Sequence, residues 1–207
     1  MKKTSPLLAL LVATLLALTA CGSNRSSNAS GDTSTGARFD KADVAFAQGM
    51  IPHHQQAVQM SRMARSHAAG VAVTKLADGI EAAQGPEIDT MTRWLKAWGK
   101  SVPTSSNQHG SAGGGMKGME MGDGSHMDTS NMPGMMSARD LGQLDRARGA
   151  RWDQMFLTMM IDHHAGAIEM ARAEQAHGSN PDAIALAKRI EAAQTAEIAK
   201  MHSMLRK

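Results

Sequence analysis

Two short motifs of the same design carry the residues with the clearest chemical potential. In each, a methionine is followed three residues later by two adjacent histidines. These residues are Met50, His53 and His54 in the first motif and Met160, His163 and His164 in the second. Imidazole and thioether form a soft-to-borderline ligand set that suits copper and suits Mg²⁺ or Ca²⁺ poorly. The motifs therefore predict a copper site, with Cu(I) preferred and Cu(II) possible.

Other residues on the same predicted helix faces extend the candidate site. Further thioether candidates are Met60, Met91, Met170 and Met201. Gln84 and Gln194 interrupt apolar stripes, and because a buried amide needs partners, we predict that they support the histidines. The simpler alternative stays open, since an inward methionine is most often core filler and a single inward histidine is more often a hydrogen-bonded core residue.

Several polar residues near the motifs are interpreted as structural. His67 and His177 lie near predicted helix C-termini, where the helix dipole favours a cation, so a capping role is preferred. Glu81, Glu87 and their counterparts in the second half of the chain are interpreted as a solvated face. Gln56 is placed on the polar side of its helix, away from the histidines.

A low-complexity segment at 101–137 is a second copper signal. It holds seven of the 18 methionines among Gly, Ser, Asp and Asn. An unstructured segment has no core to fill, so packing would not explain these methionines. We predict that several of their thioethers wrap around one Cu(I) ion; the alternative is that the segment is a neutral spacer. The candidates here are His109, Met116, Met119, Met121, His126, Met127, Met132, Met135 and Met136.

An internal duplication supplies the elements that position these residues. Residues 43–97 align without a gap to 153–207, with 21 identities in 55 positions, as expected for repeated units. Each unit predicts two helices: Asp40 to about Gly70 and Val71 to Trp98 in the first. The second unit predicts one helix from after Ser137 to about Gly178 and another from Asn180 to the C-terminus. Pro52 is expected to kink the first helix.

The composition favours helices throughout. Ala and Met are abundant, while aromatic residues are only 3% of the chain and Tyr is absent, which disfavours strands. We predict an all-α fold, a ferritin-like four-helix bundle of two duplicated helical hairpins. The Met-rich segment would make the long connection between helices 2 and 3.

The N-terminus is typical of an exported lipoprotein. A basic start and a short apolar run precede Cys21, so we predict a signal peptide over 1–20, lipidation of Cys21 and a tether over 21–38. A simple cleaved signal or an uncleaved anchor are the alternatives. Two hairpin repeats, 39–100 and 138–207, would flank the linker at 101–137. Removing two lysines with the signal lowers the formal charge from +3 to +1, which argues against a nucleic-acid partner.

The repeated motifs resemble those of a bacterial family, DUF305 (domain of unknown function 305). The similarity lies in Met50-Ile-Pro-His-His-Gln-Gln-Ala57 and its copy at 160–167, each followed by Gln-x-x-Glu-Ile-x-x-Met at 84–91 and 194–201. The resemblance implies a ferritin-like helical fold and a metal-binding rather than catalytic role, since some members are exported copper-binding proteins associated with copper tolerance. It makes the paired histidines ligand candidates together with Met50, Met91, Met160 and Met201. The Met-rich linker is not part of the family motif.

We therefore predict a lipid-anchored copper-binding protein that is not an enzyme. It would sequester copper or pass it between a donor and an acceptor protein. Two alternatives are a ferritin-like di-metal oxidase and a structural or interaction bundle without metal. The oxidase is disfavoured because such bundles use carboxylates and Glu-x-x-His motifs, whereas this chain has Gln84 where that motif needs histidine.

Overall fold

The computed structural model describes residues 38–103 and 132–206, which form five helices and no strand. The helices are α1 (Lys41–His67), α2 (Val71–Ala97), α3 (Ala138–Arg146), α4 (Gly149–His177) and α5 (Pro181–Leu205). The all-helical prediction is thus confirmed. None of these helices is long and apolar enough to cross a bilayer. The signal peptide, Cys21 and the tether to residue 37 lie outside the described residues, as do His109, Met116, Met119, Met121, His126 and Met127.

Polar side chains at the helix N-termini explain where the elements begin. Asp40 accepts hydrogen bonds from the Ala42 and Asp43 amides and forms a capping box with Asp43 at the start of α1. At the start of α5, the Asn180 side chain accepts hydrogen bonds from the Asp182 and Ala183 amides, and Pro181 occupies the first helical position. Both arrangements satisfy amides that have no partner within the helix. α1 continues without interruption through Pro52.

The second half of the chain departs from the predicted single helix between Ser137 and Gly178. Ser137 and Asp140 form the expected capping box, but α3 ends at Arg146 and α4 begins at Gly149. Gly149 has a φ of 65°, a left-handed conformation that costs glycine little. The second repeat therefore starts at α4, and α3 is an added short helix.

Two aspartates at equivalent positions join the repeats reciprocally. Asp43 on α1 accepts hydrogen bonds from the Ser179 and Asn180 amides at the start of α5, at 3.1 and 2.9 Å. Asp153 on α4 accepts from the Ala69 and Gly70 amides at the start of α2, at 3.1 and 2.8 Å. The start of each repeat thus caps the second helix of the other, which places α1 and α4 antiparallel.

One of these caps includes a second buried carboxyl group. Glu174 is 1% exposed, and burial, followed by its hydrogen bond to Asp43, raises the pKa of Glu174 to about 8. Burial alone would raise the pKa of Asp43, but hydrogen bonds from the Asn180 and Asp40 amides outweigh it and lower that pKa. Glu174 is therefore protonated at neutral pH beside the ionised Asp43.

The apolar core divides into two clusters along α1 and α4. One contains Phe46, Ala47, Met50 and Ile51 of α1 with Ala167 and Ala171 of α4. The other contains Ala57, Met60 and Ala64 of α1 with Trp152, Phe156 and Met160 of α4. The segments of α1 and α4 that lie between the two clusters, at 53–54 and 163–164, carry the paired histidines.

Candidate metal centre

Four buried imidazoles occupy the middle of the bundle. His53 and His54 are 0% exposed, His163 is 1% and His164 is 0%. The His53 and His163 ring centroids are 3.8 Å apart with a 42° tilt, and those of His163 and His164 are 6.4 Å apart. The two repeats therefore bring their motifs together, as the inward-facing stripes predict.

Hydrogen bonds orient three of these rings through Nε2. His54 Nε2 lies 2.8 Å from Glu87 Oε2, and His164 Nε2 lies 2.7 Å from Glu197 Oε2. His53 Nε2 lies 3.1 Å from the Pro133 carbonyl oxygen. Carbonyls and carboxylates accept, so each of these Nε2 atoms carries a proton, and in the neutral ring Nδ1 is then the nitrogen with the lone pair.

The lone pairs on the opposite ring nitrogens have no partner. The Nδ1 atoms of all four histidines are buried without a hydrogen bond to any described residue, and so is Nε2 of His163. Buried polar atoms are nearly always paired in folded proteins, and an exception calls for an explanation such as an ion. Metal-binding histidines usually donate from one ring nitrogen to a carboxylate and bind the metal through the lone pair of the other. His54 and His164 show this arrangement, with Nε2 bonded to a glutamate and Nδ1 without a partner among the described residues.

The site keeps its central imidazoles neutral. Burial, with a further contribution from His54, lowers the pKa of His53 to about 3. Burial, followed by the charges of neighbouring histidines, lowers the pKa of His163 well below its usual value. A neutral imidazole is the form that ligates metal, so these rings are available as ligands at neutral pH.

Buried methionines and glutamines surround the histidines. The thioethers of Met50, Met60, Met91, Met160 and Met201 are all 0% exposed. Met50 and Met91 belong to one apolar cluster and Met60, Met160 and Met201 to the other, so packing accounts for their burial whether or not they bind metal. Gln84 and Gln194 are 3% exposed, and their Oε1 atoms also have no partner among the described residues.

A short segment closes over the centre from the side of α4. We call residues 132–136 the strap. Gln56 clamps it by donating to the Met136 carbonyl at 2.9 Å and accepting from the Met136 amide at 2.7 Å. Gly166 leaves space for Pro133, whose carbonyl would clash with any side chain there, and Gly134 turns with a φ of 75° against the backbone of α4.

Several sequence interpretations need correction here. Gln56 is 9% exposed and clamps the strap, so its place on a polar outer face is wrong. Met136 packs against the core, so packing does explain this linker methionine. His67 and His177 do lie in the last turns of α1 and α4, as predicted. His67 also donates through Nε2 to the Asp145 carbonyl of α3 at 2.9 Å, whereas His177 is exposed.

The glutamates were also misplaced by the sequence interpretation. Glu81 lies on the predicted solvated face, where it pairs with Arg62 at 2.8 Å, but Glu87 and Glu197 accept hydrogen bonds from His54 and His164. The available signal was the equal spacing, since each glutamate follows its histidine by 33 residues in both repeats.

The centre differs from a carboxylate-rich metal site. Within 38–103 and 132–206, no group of three or more His, Cys, Asp or Glu side chains is arranged to hold a metal ion. This holds for the histidines as well, so a metal bound here would have no more than two of these imidazoles as ligands and would need thioethers to complete the set, which favours a soft ion.

Comparison with known proteins places the chain in a family. Residues 43–205 match the family described as domain of unknown function DUF305. The chain belongs to the DUF305 family. Among proteins with curated descriptions, no sequence matches the chain.

Solved DUF305 structures share the fold. One, a candidate secreted protein from Streptomyces coelicolor, is 27% identical with a TM-score of 0.65, covering 80% of this chain and 92% of its own. A fragment from Deinococcus radiodurans is 25% identical with a TM-score of 0.64, covering 80% and 96%. CopM in its Cu(II)-bound form is 30% identical with a TM-score of 0.60, covering 79% and 95%. CopM structures with Cu(I), with Ag and without metal also match.

Proposed function

We propose that this DUF305 protein binds copper at the four-histidine centre and sequesters it or hands it on. The observation that carries the proposal is the set of buried Nδ1 atoms without partners, three of them on rings whose Nε2 is held from outside. Leaving such groups unpaired costs roughly 1–3 kcal/mol each. A bound ion would satisfy the Nδ1 atoms that ligate it.

The charge around the centre suits a bound cation. Glu87 and Glu197 contact Nε2 of His54 and His164, on the side of each ring opposite Nδ1, and their side chains are 22% and 25% exposed. Their negative charge offsets that of a buried cation, while the His53 and His163 rings remain neutral. A soft monovalent ion fits imidazole and thioether donors, so Cu(I) is the preferred cargo and Cu(II) bound by imidazoles is possible.

The structural relatives agree with this cargo. CopM has been solved with Cu(I), Cu(II) and Ag, and its fold covers most of this chain. The histidine and thioether side chains described above supply donors for the same ions. We therefore favour binding and transfer over catalysis, and we place the di-metal oxidase below it because Glu87 and Glu197 are engaged with histidines.

The cellular setting follows from the N-terminal sequence. The basic start, apolar run and Cys21 support export and attachment to a membrane by lipid. Copper ions, the membrane and a copper donor or acceptor protein are the proposed partners, and a role in copper tolerance accords with sequestration outside the cytoplasm.

The test is Cu(I) competition against a chromogenic chelator with the whole mature protein. We compare wild type with His53→Leu/His163→Leu, and use His177→Leu/His202→Leu, at two exposed positions, as the matched control. We expect the central double variant to lose one class of tight Cu(I) site while keeping its helical circular dichroism spectrum. An unchanged Cu(I) affinity and stoichiometry in that variant would overturn the assignment.

A further inference from the structure

Two methionine sulfurs lie over Gly49 of α1, outside the histidine centre. A Cβ placed on Gly49 would lie 3.6 Å from Met170 Sδ and 3.7 Å from Met132 Sδ. Met170 comes from α4 and Met132 from the strap, so two separate elements direct thioethers to one point. Both residues are half-buried, in contrast to the fully buried methionines of the core.

This point adjoins the histidine centre. Gly49 precedes His53 by four residues, so the two lie on the same face of α1, one turn apart. Met132 is bonded to Pro133, whose carbonyl accepts from His53 Nε2. The residue that follows Met132 in the chain therefore contacts a ring of the centre directly.

The strap fixes the position of Met132. The Met135 amide donates to the Met132 carbonyl at 3.2 Å, which closes a turn. Beyond it, Gln56 holds Met136 by two hydrogen bonds. A thioether on an anchored backbone loses less entropy on binding than one on a free chain.

We propose that Met132 and Met170 form a binding site for a soft monovalent cation, Cu(I) or Ag(I), at the edge of the bundle. Thioethers are neutral and bind without losing a proton, and they favour soft ions over Mg²⁺ or Ca²⁺. Packing alone would be served equally by leucine, and Gly49 places no side chain between α1 and the two sulfurs. The site stands apart from the histidine centre; only a role in passing metal inward rests on the proposed function.

The test follows each methionine separately in the whole mature protein. Wild-type protein labelled with ¹³C at the methionine methyl groups is titrated with Ag(I), and signals are assigned from single Met→Leu variants. We expect the Met132 and Met170 methyl signals to move together. In Met170→Leu, the Met132 signal should need at least tenfold more Ag(I), whereas Met155→Leu, at another half-buried position, should leave it unchanged.

The same titration in His53→Leu/His163→Leu separates this site from the histidine centre. We expect the paired shifts to persist there, whether or not the histidine variant has lost its own copper site. The proposal is overturned if Met132 responds identically with and without Met170, or if neither methyl signal moves.

Discussion

Acid should destabilise the metal-free protein through its central histidines. The pKa of His53 is about 3 in the fold against 6.5 in the unfolded chain. A lowered histidine pKa means that the unfolded chain binds the extra proton, so stability is present above pH 6.5 and is lost as pH falls toward 3. At pH 5 the loss is about 2 kcal/mol from His53 alone, at about 1.4 kcal/mol per pH unit. His163 adds to it with the same sign.

Urea unfolding of chelator-treated protein at pH 7.5 and pH 5 measures this loss. Glu174 titrates with the opposite sign, because its pKa is raised, so the wild-type curve alone mixes the two effects. The difference between wild type and His53→Leu/His163→Leu removes the Glu174 contribution. We expect the variant to gain at least about 2 kcal/mol relative to wild type on going to pH 5, and His177→Leu/His202→Leu to gain nothing comparable. Equal pH dependence in wild type and the central variant would show that the central histidines do not cause the loss of stability in acid.

Three further substitutions test the surroundings of the centre. Glu87→Gln should weaken Cu(I) binding roughly tenfold in chelator competition, as removal of a ligand's hydrogen-bonding partner does, whereas Glu81→Gln should have no effect. Gly166→Ala pushes the strap off α4 and should cost about 1–3 kcal/mol in urea unfolding; Gly85→Ala, with open space around it, should stabilise by up to about 1 kcal/mol. In Glu174→Gln the amide would stay neutral at high pH, where Glu174 ionises. The stability of this variant relative to wild type should therefore rise by roughly 3 kcal/mol between pH 5 and pH 8. A difference in stability that does not change with pH would contradict the raised pKa.

The duplicated sequence predicts most of the fold. Helical periodicity places His53 and His163 on inward faces because apolar residues surround them at spacings of three and four. The second repeat carries the same pattern 110 residues later, and the structure brings both rings together. Export and lipidation concern residues outside the described part of the chain and remain predictions.

What sequence reasoning missed depends on contacts between distant segments. The break between α3 and α4 falls in a helix-favouring sequence, where Gly149 was the one available signal. Gln56 and Gly166 occupy equivalent positions in the two repeats but differ, because a single strap crosses a nearly symmetric pair of helices. A local pattern cannot reveal that asymmetry, since its cause is a segment 80 residues from Gln56.

The bundle also explains why methionine content alone is a poor guide to ligands. Met60 and Met201 are enclosed by the apolar cluster around Trp152 and Phe156, where any flexible apolar side chain would fill space. The histidine nitrogens differ because burial without a partner is costly for them. The case for metal binding therefore depends mainly on the imidazoles, and on thioethers only for the half-buried pair Met132 and Met170 at the edge of the core.

The most direct test of a copper-binding histidine centre is a crystal structure of the Cu(I)-loaded mature protein with anomalous data collected at the copper edge. We expect an anomalous peak between His53 and His163, within bonding distance of Nδ1 of at least one of them, with Glu87 and Glu197 still hydrogen-bonded to their histidines. Copper bound elsewhere in the chain, with the four central Nδ1 atoms free of metal, would contradict it.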